Sequence, residues 1–311
     1  MSFNGLSIII PTKDRGTVFY KTLDAAYRAS LMISAEIIVI NDSKSNLLVI
    51  DTKYEYRVKI IDNIKSGVAS ARNLGAKHAK YSHFLFLDDD ILITSNNIAD
   101  LIQDIGKYPN AAINFNWTYP LELTEQIKKT QFGRYLIKNG FTSLKGWSSN
   151  LKWVDTEIFQ VDLIASYFLC ISKDNFNIVG GYNELFPHAG AEDFEFAMRL
   201  KNNGIIGLCN PFSIVWHNEE DRVELLPWIQ RKERAAETRR IAVNMGYNEL
   251  AINVSNQKIK FVKLLYYLKS VLFIMLEIIP NRSIFDKLYF KVVNNLLMIY
   301  LYKGYFKNSN A

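Results

Sequence analysis

The chain has 311 residues, 49% of them apolar, with 15 Gly, 7 Pro and a formal net charge of +6. That balance excludes a disordered or low-complexity chain and leaves room for one large α/β domain plus an appendage, or for two domains. Two cysteines, Cys170 and Cys209, sit in apolar surroundings without metal-ligand spacing; they exclude a thiolate metal cluster and read as buried side chains in a reducing compartment.

Leu6-Ser7-Ile8-Ile9-Ile10 predicts a buried strand. No basic region, long apolar core and cleavage site precede it, so the expectation is a chain that stays in the cytoplasm. Pro11 to Gly16 is a polar loop, followed by a helix over about 17–31. Glu36–Ile40 and Val58–Ile61 are further strands, the first ending at Asn41-Asp42-Ser43. Ser66 to Gly75 opens a helix, and His83–Leu87 is the next strand. Strands alternating with helices, each strand a short apolar run, imply a mainly parallel central sheet flanked by helices. In such sheets ligands bind at the carboxyl ends of the strands. Asp14, Asp42 and Asp88-Asp89-Asp90 each follow a strand, so they should gather at one edge. Three adjacent acids repel one another unless something positive sits between them, and a hard divalent cation suits them. If the strand continues, Asp88 and Asp90 share a face and Asp89 points away.

A helix over 95–106 and a strand over Ala111–Phe115 come next. From 116 to about 160 the pattern blurs, with Trp117, Trp147 and Trp153 standing among Lys, Asn and Ser; irregular stretches of this length are usually functional or mobile. Val161–Ile171 reads as a strand, Gly180 to Asn183 as a turn, Phe194–Asn203 as a helix behind Glu192-Asp193, and Phe212–Trp216 as a strand ending at His217. Helix 223–246 is charged in its middle.

The basicity belongs to the end of the sequence. Residues 258–311 hold nine Lys/Arg against Glu277 and Asp286, a charge of +7, so the rest of the chain carries −1. A nucleic-acid-binding protein would more often spread that charge over its folded domain, and no nucleic acid is expected as a partner. Two apolar helices are predicted here, 258–279 and 284–305, the second with Leu288, Tyr289, Val292, Val293, Leu296, Leu297 and Tyr300 at i, i+3, i+4 spacing. The apolar run Leu264–Ile279 would rise about 24 Å as a helix, short of the roughly 30 Å hydrocarbon core, so the expectation is an in-plane hairpin on a membrane surface. A hairpin folded back on protein fits the same pattern.

Taken together, Pro11-Thr12-Lys13-Asp14-Arg15, Val39-Ile40-Asn41-Asp42, Gly67 to Asn73, Leu87 to Asp90, Gly180 to Glu184, Ala191-Glu192-Asp193 and Trp216-His217 resemble, in this order, the inverting family 2 glycosyltransferases of GT-A fold. The resemblance covers roughly residues 5–220. It implies an α/β, GT-A-type nucleotide-binding fold with a C-terminal helical appendage, divided as a catalytic domain over 1–220, a connecting helix region over 221–257 and a basic amphipathic tail over 258–311. It implies a nucleotide-sugar donor, most often a UDP-sugar, with Mn²⁺ or Mg²⁺. Pro11, Thr12, Asp14 and Arg15 would flank the nucleoside, with position 14 often Asn in the family and Asp here. Asp42 would accept from the base, Arg72 would lie by the nucleotide or its phosphates, Asp88 by the ribose or nucleotide, and Asp89 by the donor sugar. Asp90 and His217 would hold the metal, and Asp193 would be the general base. Trp117, Trp147, Trp153 and Glu192 are the acceptor-side candidates.

The chemistry suits these residue types. Displacing a nucleoside diphosphate puts negative charge on a phosphate, which a bound cation stabilises, and the attacking hydroxyl must give its proton to a nearby base. Asp193 stands at a helix start, where negative charge meets the positive end of the dipole. The acceptor expected is a glycan or lipid-linked glycan of surface polysaccharide synthesis, reached from the inner face of the membrane. Two rivals use the same features: a nucleotidyltransferase, which would usually show a glycine-rich, lysine-containing loop that Pro11–Gly16 lacks, and a membrane-docking or nucleic-acid-binding module with an inactive GT-A-like domain.

Overall fold

The structure is a computed structural model that describes residues 3–45, 48–54, 56–147 and 153–306. Lys307, counted above with the basic tail, lies outside the described residues. The chain forms two compact units. Unit 1 comprises Met1–Pro120, Ser143–Pro187 and Glu192–Glu219; unit 2 comprises Leu121–Thr142, His188–Ala191 and Glu220–Ala311.

Unit 1 is built on one sheet of nine strands among the described residues: β1 (Leu6–Thr12), β2 (Ala35–Asn41), β3 (Val58–Asp62), β4 (His83–Leu87), β5 (Ile91–Leu92), β6 (Ala111–Thr118), β7 (Phe159–Val161), β8 (Phe168–Ser172) and β9 (Ile206–His217). The order is β3-β2-β1-β4-β8-β6-β9-β5, with β7 also on β9. From β3 to β4 every pairing is parallel, as the apolar runs predict. Beyond β4 the sheet is mixed: β8 runs antiparallel to β4 and β6, while β6 and β9 are parallel.

β1 and β2 are buried on both faces, Ile8, Ile9 and Ile10 completely so. The helix Val68–His78 packs on them through Gly75, where an added Cβ would stand 2.3 Å from Ile9 Cγ2. That close approach sets the depth at which this helix carries Arg72. The register then brings the strand ends level. Thr12 pairs with Asn41, and Ile9 with Phe86, so Thr12, Asp42 and the Asp88 to Asp90 segment come to the same edge.

The single strand expected over 161–171 is two. Asn114 explains the break: its side chain accepts from Ala165 N–H at 2.9 Å and donates to the carbonyls of Ala165 and Phe168 at 2.9 and 2.7 Å. The backbone between β7 and β8 is thus bonded to a side chain and crosses from β9 to β4 instead of extending a ladder. β9 is also longer than expected, since a register shift opposite Phe115/Asn116 absorbs Pro211 to Ser213 without ending the strand.

Unit 2 is helical. Its core joins Phe132, Tyr135 and Leu136 of helix Gln131–Lys138, Trp228 and Ile229 of helix Leu225–Asn244, and Val293, Leu296 and Ile299 of helix Asp286–Phe306. Arg134 holds Asp286 through Nε and Nη2, both at 2.8 Å, and Tyr135 donates to Asn294 Oδ1 at 2.8 Å. At Gly304 an added Cβ would lie 2.1 Å from the Glu233 carbonyl, so a glycine is what lets the two long helices touch. The stretch predicted as irregular therefore contains helices Leu121–Ile127 and Gln131–Lys138 here, and Leu144–Trp147 in unit 1. The expected helix 258–279 is broken at Leu268 into Asn256–Tyr267 and Lys269–Ile278. The amphipathic helix 286–306 turns Val292, Val293 and Leu296 into protein. No helix of the described residues is long and apolar enough to cross a membrane.

Candidate active site

The three consecutive acids do not continue β4. Ile91 N–H donates to the Asp88 carbonyl at 3.1 Å, closing a turn that sends the three side chains two ways. This corrects the expectation that Asp88 and Asp90 share a face. Asp88 turns toward Arg72, while Asp89 and Asp90 turn toward Arg15. Arg15 Nη2 donates to Asp90 Oδ2 at 2.7 Å, and its Nε stands 3.4 Å from Asp89 Oδ1. Thr12 Oγ1 donates to Asp89 Oδ2 at 2.7 Å, and Thr22 Oγ1 to the Asp89 carbonyl at 3.0 Å. Burial, with the charge of Asp90 added, pushes the Asp89 carboxyl up to about 7 against the pull of Arg15. Thr12 and Arg15, expected beside a nucleoside, are instead buried and turned inward on these acids; Pro11 is buried in β1.

Asp42 follows β2 and donates its own N–H to the Thr12 carbonyl at 2.8 Å. Its Oδ1 accepts from Asn63 Nδ2 at 2.7 Å and from Gly67 N–H at 2.9 Å; Oδ2 faces Lys13 Nζ at 3.5 Å. Gly67 has φ 106°, a left-handed conformation that glycine adopts without strain and that aims its N–H at the carboxylate. Asp14 lies exposed at the same loop and accepts from Ser43 Oγ at 2.7 Å.

A second cluster forms around Arg72. Its Nη2 donates to Asp88 Oδ1 at 2.9 Å and its Nη1 to Glu192 Oε1 at 3.1 Å, with Asp193 Oδ1 at 3.6 Å. Burial opposes the charge of this guanidinium, but the acids around it raise its pKa above the ordinary arginine value. The guanidinium also lies over the Tyr182 ring, 5.2 Å from its centre. Asn73, the next residue on the helix, fixes that ring by exchanging hydrogen bonds with the Tyr182 backbone, each 2.8 Å. Gly181 makes the clasp possible, since a Cβ there would meet Asn73 Oδ1 at 2.7 Å. Asp193, at the start of helix Glu192–Asn202, accepts from Ser166 N–H at 3.1 Å and from Ser166 Oγ, whose oxygen also shares a 2.6 Å bond with Tyr182 OH. The Asp193 side chain is 23% exposed and that of Glu192 1%. Only the former can meet an incoming molecule. Glu192, expected on the acceptor side, is a buried counter-charge of Arg72.

The end of β9 closes the site. β5 pairs with it antiparallel, Ile91 opposite His217, and Asn218 N–H donates to the Asp90 carbonyl at 2.7 Å. His217 Nε2 thereby stands 3.3 Å from Asp90 Oδ1 and 3.9 Å from Glu219 Oε1. Burial disfavours a charged imidazole, yet the two carboxylates win and raise His217 to about 9. Ligand atoms of Asp90, His217 and Glu219 lie within 4.8 Å of one another. Two carboxylate oxygens and an imidazole nitrogen fit a divalent cation of the Mn²⁺ type, which would replace the imidazole proton as the positive charge between the acids. Trp117 is buried and packs edge-on against the His217 ring, 4.8 Å between centres, so it is no exposed wall for a sugar. Trp147 is 51% exposed, in a short helix tied to the end of β6 by the Ser143–Thr118 bridge. Trp153 is half-buried against Phe159, its Nε1 donating to Asp155.

Contacts thus run unbroken from Asp42 through Thr12, Asp89 and Arg15 to Asp90 and His217. Residues 7–158 match the model of the family described as glycosyl transferase family 2. The chain belongs to that family. Over 240 residues this glycosyltransferase is 31% identical to a chondroitin synthase of Pasteurella multocida (strain Pm70), an alignment covering 69% of the chain and 25% of that protein. The chain therefore spans about a quarter of the length of this relative. Among solved structures, it resembles GalNAc-T7 with UDP, GalNAc and Mn²⁺ (TM-score 0.52, 19% identity, covering 69% of this chain and 43% of that one). It also resembles the mannosyltransferase PcManGT from Pyrobaculum calidifontis in complex with GDP-Man and Mn²⁺ (TM-score 0.54, 12% identity, covering 99% and 89%). At such identities the likeness is one of fold, and that fold is GT-A.

Sequence reasoning missed Glu219, Ser166, Tyr182 and Asn63. Glu219 carried a signal, two residues beyond His217 on an extended chain and so on the same face. Ser166 carried none, because only the fold brings it to Asp193.

Proposed function

We propose that this glycosyltransferase is metal-dependent and inverting, and moves a sugar from a nucleotide-sugar donor, most simply a UDP-sugar, to a hydroxyl of a glycan or lipid-linked glycan in surface polysaccharide synthesis. The observation that carries the reading is the convergence of Asp90, His217 and Glu219 at the sheet edge that also presents Asp42 and Asp193. Relatives add support: the Pasteurella relative is a chondroitin synthase, and both structural neighbours hold a nucleotide or nucleotide sugar with Mn²⁺. The basic, partly apolar end of unit 2 supports work in the cytoplasm at the inner face of the cell membrane.

Asp90, His217 and Glu219 would hold Mn²⁺ or Mg²⁺. When bound, the ion supplies Lewis-acid stabilisation of charge on a leaving diphosphate. Asp42, with Oδ1 already bonded to Asn63 and Gly67, offers Oδ2 and the neighbouring Lys13 to the base end of the donor. Arg72 keeps a fixed positive charge between Asp88 on the donor side and Asp193 on the acceptor side. Asp193 takes the proton of the acceptor hydroxyl as the acceptor oxygen bonds to the anomeric carbon. The bond from that carbon to the diphosphate oxygen breaks, and the nucleoside diphosphate leaves with the electron pair. Attack from the face opposite the leaving group inverts the carbon. Ser166, through N–H and O–H, holds the Asp193 carboxylate in one orientation for that transfer.

The test is release of nucleoside diphosphate from a panel of nucleotide sugars with Mn²⁺, Mg²⁺ or a chelator present. Metal-dependent release that disappears in Asp90→Ala is expected. Release indifferent to chelator and to Asp90→Ala would overturn the proposal.

A further inference from the structure

The apolar side chains of helices Asn256–Tyr267 and Lys269–Ile278 divide into two sets. Val262, Leu265, Leu272 and Ile279 are buried in unit 2. Phe261, Leu264, Leu268, Val271, Ile274 and Ile278 are 45–71% exposed. All six recur at three- and four-residue steps, so on each of the two helices they form a stripe beside the buried one. A contiguous apolar patch of this kind marks an interaction surface. Its surroundings are basic. Lys258, Lys260 and Lys263 are exposed on the first helix, and Arg282, Lys287 and Lys291 on the segment that follows; Glu277 is the exposed acid within 256–291. Two copies meeting through this face would bring like charges together, whereas an anionic bilayer answers both the apolar stripe and the lysines. Neither helix can cross a bilayer. Each can lie flat in the headgroup layer with lysine stems reaching up to the phosphates.

We propose that residues 256–278 are the membrane-docking element of this chain, lying in the plane of an anionic bilayer with Phe261, Leu264, Leu268, Val271, Ile274 and Ile278 in the lipid. The helix Asp286–Phe306 is not that element, because its apolar face is already buried in unit 2. The inference rests on the chain working at the inner membrane face and is independent of the chemistry of unit 1.

Flotation of the full chain with phosphatidylcholine vesicles, with and without a third of phosphatidylglycerol, tests it. Binding to the anionic vesicles alone is expected, weakening as salt is raised. The triple variant Leu264→Gln, Ile274→Gln, Ile278→Gln should lose about tenfold or more in partition. Lys260→Gln and Lys263→Gln should each cost about fivefold. Thermal melts and donor hydrolysis should stay at wild-type values in all of them, since these side chains face solvent. Failure of the wild type to float, equal flotation of the triple variant, or a wild-type dimer that the triple variant dissolves would each overturn the docking role. Donor hydrolysis read on the same samples keeps that outcome separate from the chemistry: vesicle binding without turnover would leave the docking element standing and remove the enzymatic reading.

Discussion

Arg15 and Arg72 are both buried guanidiniums set among carboxylates, and their differences show how the sheet edge is organised. Arg15 sits below the Asp88–Ile91 turn and neutralises Asp89 and Asp90 from the inside. Asp90 keeps its other oxygen toward His217, and Glu219 flanks that imidazole. Arg72 comes from a helix and joins Asp88 to Glu192 and Asp193. One turn therefore divides three adjacent acids between two cations, one behind the metal-type triad and the other beside the candidate base. Charge that would make the acid run unstable is compensated twice, without either arginine occupying both places.

The largest expected effect lies on the Arg72 side. Asp193→Asn should lower transfer by about 10²–10⁴-fold while nucleotide binding, read by calorimetry, stays within about twofold. Full transfer by Asp193→Asn would show that the two clusters are not divided into donor and acceptor roles. Ser166→Ala, which removes one of the donors that orient Asp193, should lower kcat and leave KM for the donor unchanged; an unchanged kcat would reduce Ser166 to packing.

On the other side, Arg15→Met removes the cation from two buried carboxylates and should cost about 3–5 kcal/mol in chemical denaturation. Adding Asp89→Asn should recover part of that loss, because Asp89 is the acid that burial already pushes up to about 7. A loss under about 1 kcal/mol, or no recovery in the double variant, would contradict the shared-charge arrangement.

The smallest effect is a control at the far end of the acid-bearing strand. Burial lowers the pKa of His83 below 6.5. The unfolded chain then binds its proton first as pH falls, so the stability that neutral His83 contributes is present above 6.5 and is lost as pH drops through the lower folded value. Melts between pH 7.5 and 5 should fall less steeply in His83→Gln; identical slopes would place that pH dependence elsewhere.

Much of the sheet was legible because β1, β2 and β4 are mostly apolar and end in polar residues, which fixes both their burial and the edge where Asp42 and the acids collect. The turn at Asp88–Ile91 was not legible: alternation assigns faces only while a strand continues, and nothing in three aspartates announces where it stops. Helices 121–127 and 131–138 escaped because their buried faces, Leu123 with Ile127 and Phe132 with Tyr135 and Leu136, are too short to outweigh the surrounding lysines and asparagines. The amphipathic pattern of 286–306 was expected to lie on a membrane surface, and the structure buries that face in unit 2 instead. Its cover is helix Leu225–Asn244, and sequence periodicity does not say whether protein or lipid provides it. Glu219 was within reach through its two-residue spacing from His217, which the resemblance had selected; Ser166 was not.

The central claim is that Asp90, His217 and Glu219 form a single cation site at the donor edge. Electron paramagnetic resonance of Mn²⁺ titrated into the chain with UDP present tests it directly. One bound ion per chain is expected, with affinity falling by about tenfold or more in both His217→Gln and Glu219→Gln. Equal Mn²⁺ affinity in the wild type and both variants would contradict the account.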